Sequence, residues 1–245
     1  MEKYHLGINL GHDRSAAIVT KGEIKVAIQQ ERLDRSKHSL GYLHQFIGDN
    51  RKIQLPWESI NYCLKELNIN LNDLCSITAN MPGKDYSEEI LKNSLPRNIS
   101  DKIMTIPSHH LSHAYSAYWP SGFDEAIVIS IDASGTTNNN LTESYSIYKA
   151  KNNSIELMHS ESSESHLAEL STLGFLYEYI TKKAGFTTIL SDELSIPEAG
   201  KLMGLASYGT EQKKWNKWFK SSKDSYQTDI ASYDIFLEVE ALTKA

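Results

Sequence analysis

Two histidines and one aspartate stand at spacings that suit a divalent-metal site. His109 and His113 lie four residues apart, so in a helix both imidazoles leave the same face, about 6 Å apart along the axis. Asp132 follows the apolar run 126–131, which predicts a buried strand with the carboxylate at its carboxyl end. Two imidazoles and a carboxylate suit iron, zinc, manganese or cobalt. The alternative is a pair of structural histidines, because this spacing also arises by chance.

A small polar turn provides a second candidate site. It spans residues 10–15 and lies between two apolar runs that predict strands. Gly11 allows a ligand to approach the backbone closely, and Asp13 offers a carboxylate to a metal-bound water or a hydroxyl. The alternative is an ordinary hairpin turn in which Asp13 caps its own backbone.

A charged segment at 31–38 follows the third predicted strand. Its Arg32, Lys37 and His38 would contact a phosphate or a carboxylate if the segment faced a ligand. A solvated loop is the alternative, since runs of charged residues usually lie on solvated faces.

The composition is that of a soluble globular protein and argues against several classes of partner. With 25 basic and 31 acidic side chains the net charge is −6, which gives no electrostatic basis for binding nucleic acid or an acidic membrane. Cys63 and Cys75 are too few for a disulfide framework and fit a reducing compartment. No apolar stretch reaches membrane-spanning length, and the first residues lack the pattern of a signal peptide. We therefore expect a cytoplasmic protein.

Strands and helices alternate along the chain in a pattern typical of an α/β fold. Three strands in a meander come first, and strands that alternate with helices follow, which predicts a mixed sheet. Ser108 suits the N-cap of a helix that ends near Trp119. The other predicted elements are strands at 4–9, 15–20, 23–31, 76–80 and 102–106, a hairpin at 144–160, and helices at 56–67, 168–184, 197–206 and 211–245.

Six short segments occur in a fixed order along the chain and together form a specific pattern. They are Gly7–Ala17, Glu31–His38, His109–Ala114, Ile131–Gly135, Leu173–Tyr177 and Gly200–Gly209. In this order they resemble the amino-terminal part of the O-carbamoyltransferases of the nodulation and antibiotic-tailoring type. Each segment alone is a weak signal, but six in register are specific.

The resemblance implies a fold and a division into lobes. The family's first domain has the actin/Hsp70-like (ribonuclease H-like) ATPase fold and is related to the universal tRNA threonylcarbamoyl-transfer protein. We therefore expect a mixed sheet flanked by helices, with a first lobe at 1–165 that carries an insertion at about 81–100. Residues 166–245 would be the helical start of a second, incomplete lobe.

The resemblance also implies a reaction. Family members use ATP and carbamoyl phosphate to make carbamoyl-adenylate, and then pass the carbamoyl group to a hydroxyl of a small-molecule substrate. By this resemblance His109, His113 and Asp132 bind a divalent metal, with iron favoured and manganese or magnesium as alternatives. The residues implied to contact the nucleotide are Gly11, His12, Asp13, Lys37, His38 and Gly135.

Three departures from the family pattern bear on activity. Arg14 stands where the family has a small residue, and it would place a cation beside the first phosphate loop. The loop after Asp132 reads Ala-Ser-Gly-Thr-Thr instead of Gly-x-Gly-Glu, which weakens the case for the second phosphate contact. The family also continues well beyond the position of Ala245. We therefore expect activity only when a carboxyl-terminal part is supplied, for instance by a separate chain.

Two other functions are compatible with the same residues. A non-catalytic remnant or scaffold subunit that binds nucleotide or metal is the first. A phosphotransferase or phosphatase of the same ATPase superfamily is the second, because phosphate loops are shared and fold does not fix chemistry.

Overall fold

Five strands within the first 112 residues form one mixed sheet in a computed structural model of the chain. Strand β1 spans Tyr4–Asn9, β2 Ser15–Thr20, β3 Glu23–Gln29, β4 Leu74–Asn80 and β5 Ile103–Met104. Their order in the sheet is β3-β2-β1-β4-β5, with β1–β2 and β2–β3 antiparallel and β1–β4 and β4–β5 parallel. This confirms the α/β class with a mixed sheet that the sequence predicts.

The chain divides into two compact units, Met1–Ser112 and His113–Ala245. The predicted lobe boundary between residues 165 and 166 falls inside the second unit, and as a statement about domains it stays a prediction. The structure describes residues 2–39, 54–83, 86–164, 172–191, 194–221, 226–228 and 239.

Helix α2 (Trp57–Glu66) covers the sheet of the first unit. Its buried side chains Ile60, Cys63 and Leu64 lie at i, i+3 and i+4, the spacing of one helical face. They share one core with the inward residues of β1, Leu6 and Ile8. Each fully buried aliphatic side chain of this kind contributes about 1.5–3 kcal/mol. The described part of this unit also contains the single-turn α1 (Glu31–Asp34) and α3 (Ser87–Ser94), which lies in the predicted insertion.

Helix α4 (His109–Tyr118) forms where the sequence predicts it. The hydroxyl of Ser108 accepts a hydrogen bond from the backbone N–H of Leu111 at 3.2 Å, which confirms the predicted N-cap. His110 and Ala114, four residues apart, are fully buried. The helix therefore packs through the face that carries these two residues.

The second unit repeats the three-stranded meander of the first. Its strands β6 (Glu125–Ile131), β8 (Leu141–Lys151) and β9 (Ser154–Glu164) pair antiparallel in the order β6-β8-β9, as β1-β2-β3 do. Both meanders turn between their second and third strands through two residues with positive φ, Lys21–Gly22 and Asn152–Asn153. Such residues make the tight hairpin turns that match strand twist. The short strand β7 (Thr137–Asn138) pairs with β8.

Strand β6 presents an apolar strip to solvent. Ile127, Ile129 and Ile131 are 58%, 59% and 48% exposed, whereas Val128 and Ser130 on the other face are buried. Within the described residues β6 pairs with β8 alone, while β1 pairs with strands on both of its edges.

The carboxyl-terminal part is less helical than the sequence predicts. Of the helix predicted for 211–245, a 3-10 turn at Lys213–Trp218 and a short hairpin occupy the described residues up to 228, while Val239 is helical. The prediction was wrong over this part for two reasons. Trp215 and Trp218 are three residues apart, a spacing that one turn of 3-10 helix accommodates. The aromatic residues Phe219 and Tyr226 favour strands. The elements are α5 (Leu173–Lys183), β10 (Thr187–Ser191), β11 (Leu194–Pro197), α6 (Ala199–Ala206), β12 (Phe219–Ser221) and β13 (Tyr226–Thr228).

The hairpin β10–β11 was not predicted. The predicted start of the helix at 168–171 lies outside the described residues. Among the described residues, no helix has the length and apolar character needed to cross a membrane.

Candidate functional site

The structure brings the three predicted metal ligands together. His109 and His113 lie one turn apart on α4, and Asp132 directly follows β6. One ligand atom from each lies within 4.8 Å of the other two. Nε2 of His113 and Oδ2 of Asp132 are 3.3 Å apart. The helix period and the strand end therefore converge as the sequence predicts.

The donor set fits a divalent metal. Two imidazoles and a carboxylate are the ligands of many iron, manganese and zinc sites. The side chain of His113 is half-exposed and that of Asp132 is one-third exposed, so an ion could reach them. The middle histidine, His110, is fully buried and belongs to the packing face of the helix. Three neighbouring histidines thus divide into two candidate ligands and one core residue.

The turn after β1 places Asp13 between two imidazoles. Oδ2 of Asp13 lies 2.5 Å from Nδ1 of His12, and Oδ1 lies 2.8 Å from Nδ1 of His38. The hydrogen bond with His12 lowers the pKa of the Asp13 carboxyl most strongly, burial opposes this effect, and the hydrogen bond with His38 adds to it. An ionised Asp13 assigns the proton of each neutral ring to Nδ1 and leaves Nε2 as the acceptor.

Asn9, at the end of β1, holds the turn together and was missed by sequence reasoning. Its side-chain amide donates to the carbonyls of His12 and Asp13 at 3.0 and 3.2 Å, and its Oδ1 accepts from the N–H of Gly11 at 3.0 Å. A side chain at Gly11 would crowd Asn9 and Pro82 at 3.2–3.3 Å. The sequence does contain one indication of this role, because Asn9 is a polar amide residue at the point where the apolar strand pattern ends.

The charged segment 31–38 folds back onto the same turn. The backbone N–H of His38 donates to Oε2 of Glu31 at 3.0 Å. Asp13 and His38 both have left-handed backbones, with φ of 59° and 61°, a conformation that non-glycine residues rarely adopt. Lys37 is exposed on the 3-10 turn beside His38. The predicted residues Asp13 and His38 therefore share one cluster, and Glu31 is an addition to it.

Arg14 is a structural anchor of the turn. Its side chain is buried, and Nε donates to the carbonyl of Ser39 at 2.7 Å while Nη1 donates to the carbonyl of Gln54 at 2.8 Å. Burial lowers the pKa of its guanidinium, and the charges of Asp34 and Glu58 oppose that shift. The sequence suggested a cation beside a bound anion. In the structure the guanidinium of Arg14 is instead buried in the protein, where it binds two backbone carbonyls.

The loop after Asp132 is closed by Glu143 of β8. The N–H of Gly135 donates to the backbone carbonyl of Glu143 at 2.9 Å, and the N–H of Thr136 donates to its carboxylate at 2.9 Å. Gly135 was predicted to contact a phosphate. In this structure the amide of Gly135 already donates to Glu143, whose carboxylate accepts a hydrogen bond from the next residue, Thr136.

Sequence comparison assigns the chain to a family. Residues 74–244 match the family described as Carbamoyltransferase N-terminus. The chain is also 28% identical over 227 residues to the nodulation protein NolNO of Sinorhizobium fredii, and 29% identical over 235 residues to the uncharacterized protein sll1178 of Synechocystis. Each alignment covers 81% of this chain but only 28% and 33% of those proteins. The chain thus spans about a third of the length of the curated relatives it matches.

Structural comparison finds more distant similarities. YeaZ from Pseudomonas aeruginosa is 12% identical with a TM-score of 0.42, and the shared part covers 66% of this chain and 68% of that one. Component A of the (R)-2-hydroxyglutaryl-CoA dehydratase of Acidaminococcus fermentans is 14% identical with a TM-score of 0.36, covering 86% and 70%. The assignment therefore rests on the sequence match, and by that match the chain belongs to the carbamoyltransferase amino-terminal family.

Proposed function

We propose that this chain is the amino-terminal part of an ATP- and metal-dependent O-carbamoyltransferase. The complete enzyme would move a carbamoyl group from carbamoyl phosphate, through carbamoyl-adenylate, to a hydroxyl of a small-molecule acceptor. The chain covers only a third of its relatives, so we expect it to act together with the remaining carboxyl-terminal part of such a protein.

The cluster of His109, His113 and Asp132 is the observation that carries the proposal. The family match indicates a group-transfer enzyme. The cluster adds three side chains that commonly bind metals, two on a helix and one at a strand end, close enough to share one ion. These three residues would hold a divalent ion, with iron favoured and manganese or magnesium as alternatives. Bound there, the ion would neutralise phosphate charge and polarise the group being transferred.

The turn at 11–13 would serve the nucleotide and the acceptor. Asp13 orients the rings of His12 and His38 through one carboxylate oxygen each. The His12 side chain is largely exposed, so its Nε2 could accept a proton from an acceptor hydroxyl when neutral, or donate to a phosphate when protonated. The exposed Lys37 adds a positive charge beside this turn. These roles fit a reaction in which a carbamoyl group passes from an anionic donor to an acceptor hydroxyl that gives up its proton.

Metal and nucleotide titrations test the proposal directly. We expect the purified chain to bind Mn²⁺, followed by electron paramagnetic resonance, and Fe²⁺, followed by calorimetry under anaerobic conditions. We expect ATP to bind more tightly when the metal is present. When a carboxyl-terminal part of the family is supplied, ATP and carbamoyl phosphate should yield carbamoyl-adenylate, detected by mass spectrometry. A completed protein that makes none would refute the enzymatic proposal.

A non-catalytic member of the family is the second candidate. The contacts of Glu143 with Gly135 and Thr136 favour it, because they engage the amides of the second predicted phosphate loop and add a negative charge there. The same titrations discriminate between the two. Metal binding without ATP binding, even in the completed protein, would support the non-catalytic role.

A further inference from the structure

The amino end of helix α5 is fastened to the peptide that follows Asp132. Thr172 is the N-cap of this helix and is 1% exposed. Its hydroxyl accepts a hydrogen bond from the N–H of Phe175 at 3.1 Å and donates one to the carbonyl of Ala133 at 3.2 Å. One hydroxyl thus completes the helix end and binds the loop after β6.

Gly174 allows the helix to come this close. A Cβ at this position would lie 2.3 Å from the backbone nitrogen of Ala133, and 2.5 Å from its Cα and from the carbonyl carbon of Asp132. Non-bonded carbon atoms pack at about 3.5–4.0 Å, so any side chain would push the two backbones apart. The glycine is required by this contact and not by its backbone angles, since it lies in regular helix.

The peptide held in this way also sets the direction of the Asp132 side chain. The N–H of Ala133 donates to Oδ1 of Asp132 at 2.7 Å, while Oδ2 lies 3.3 Å from Nε2 of His113. Oδ1 is therefore held by the backbone, and Oδ2 faces His113. A shift of the Ala133 peptide would move Oδ1 with it and turn Oδ2 away from the candidate ion position.

We propose that Thr172 and Gly174 are positioning residues of the metal centre, and we call them the Thr172–Gly174 clamp. The clamp holds the peptide of Ala133 so that Asp132 meets the two histidines of α4. This inference rests on the proposed metal-binding function and extends it to residues that would not touch the ion. Groups that orient metal ligands typically change metal affinity 10- to 100-fold when they are altered.

Gly174→Ala tests the clamp against a matched control, Gly204→Ala. Both glycines lie inside helices of the second unit, but nothing lies within 4 Å of a Cβ at Gly204. Affinity for Mn²⁺ is measured on the purified chain by electron paramagnetic resonance, and folding is checked by circular dichroism. We expect Gly174→Ala to weaken Mn²⁺ binding by about tenfold or more, and Gly204→Ala to leave it within about twofold of the unaltered chain.

A second pair of variants covers the case in which Gly174→Ala does not fold. Thr172→Val keeps the shape but removes the hydroxyl, and Thr172→Ser restores it. We expect Thr172→Val to weaken Mn²⁺ binding and Thr172→Ser to bind as the unaltered chain does. A cap with only a structural role would lower the melting temperature of Thr172→Val and leave its Mn²⁺ affinity unchanged, which would overturn the clamp.

The outcomes separate this inference from the proposed function. If the unaltered chain does not bind Mn²⁺, the metal site itself is wrong and the clamp fails with it. If the unaltered chain binds Mn²⁺ and a folded Gly174→Ala binds it equally well, the metal site stands and the clamp alone is refuted.

Discussion

Asp13 and His38 hold each other through both their backbones and their side chains. The N–H of Asp13 donates to the carbonyl of His38 at 2.8 Å, and Oδ1 of Asp13 lies 2.8 Å from Nδ1 of the His38 ring. Both residues adopt left-handed backbone angles, which cost free energy and persist where surrounding contacts enforce them. The charged segment and the first turn are therefore one local structure, fixed by this pair.

The carboxylate of Asp13 gives the fold a specific response to acid. The hydrogen bonds with His12 and His38 lower the pKa of this carboxyl in the folded chain. The ionised carboxylate therefore stabilises the fold at pH values above the unfolded-state pKa, and this stabilisation is lost as pH falls through the folded-state pKa. We expect Asp13→Asn to lower the free energy of unfolding at pH 7 by about 1–2 kcal/mol. The difference from the unaltered chain should shrink below the ordinary aspartate pKa of 3.8.

Urea unfolding at pH 7 and pH 3 measures this difference. Asp101→Asn is the control, because Asp101 is an exposed aspartate of the same unit. A deficit for Asp13→Asn that stays constant between the two pH values would show that ionisation of Asp13 is not the cause.

Removing one candidate metal ligand should abolish metal binding with little effect on stability. His113 is half-exposed, so His113→Ala should shift the melting temperature by no more than about 2 °C while Mn²⁺ binding is lost. His159→Ala, which alters another partly exposed histidine of the second unit, should keep Mn²⁺ binding. A large fall in melting temperature for metal-free His113→Ala would instead make His113 a structural residue.

Arg14 should be required for stability. Arg14→Ala removes donors from the carbonyls of Ser39 and Gln54 and leaves an empty space in a buried position. We expect a loss of about 3 kcal/mol in the free energy of unfolding, measured by urea denaturation. Arg14→Lys should lose less, because it keeps the charge but not the forked geometry. A change below about 0.5 kcal/mol for Arg14→Ala would contradict the anchoring role.

The two cysteines should differ sharply in reactivity. Burial raises the pKa of the Cys63 thiol to about 11, and the charge of Glu66 adds to this, so at pH 8 only about one thiol in a thousand is the reactive thiolate. Cys75 is exposed. Ellman's reagent should therefore modify one thiol in the native chain and two in guanidinium chloride. Cys75→Ser should remove the native reaction, and a fast native reaction in that variant would contradict the burial of Cys63.

The features that sequence reasoning predicted are those set by local rules. The hairpins β2–β3 and β8–β9 follow from strand-like runs separated by two-residue turns, and β1 from an apolar run that precedes the polar turn at 10–14. His109, His113 and Asp132 follow from the helix period and from a strand end. Each of these rules acts within one element or at its end, whereas the approach of Asp132 to His113 joins two elements at positions nineteen residues apart in the chain.

The features that it missed depend on contacts between distant parts of the chain. The partners of Arg14 lie 25 and 40 residues away, so its charge gave no sign of its burial. Gly174 packs on a peptide that precedes it by about forty residues, and its motif alone does not reveal that contact. The closure of the loop after Asp132 by Glu143 likewise depends on the register of β8.

The isoleucines of β6 have a practical consequence for the isolated chain. An apolar strip beside a strand edge that is unpaired within the described residues is a template for association between molecules. We expect light scattering of the purified chain to rise with concentration, and Ile129→Lys to suppress that rise. Ile189→Lys, which alters an exposed isoleucine outside this strand, should leave the rise unchanged. One strand would then determine how strongly the chain associates, and a single added charge on that strand would allow the chain to be concentrated without association.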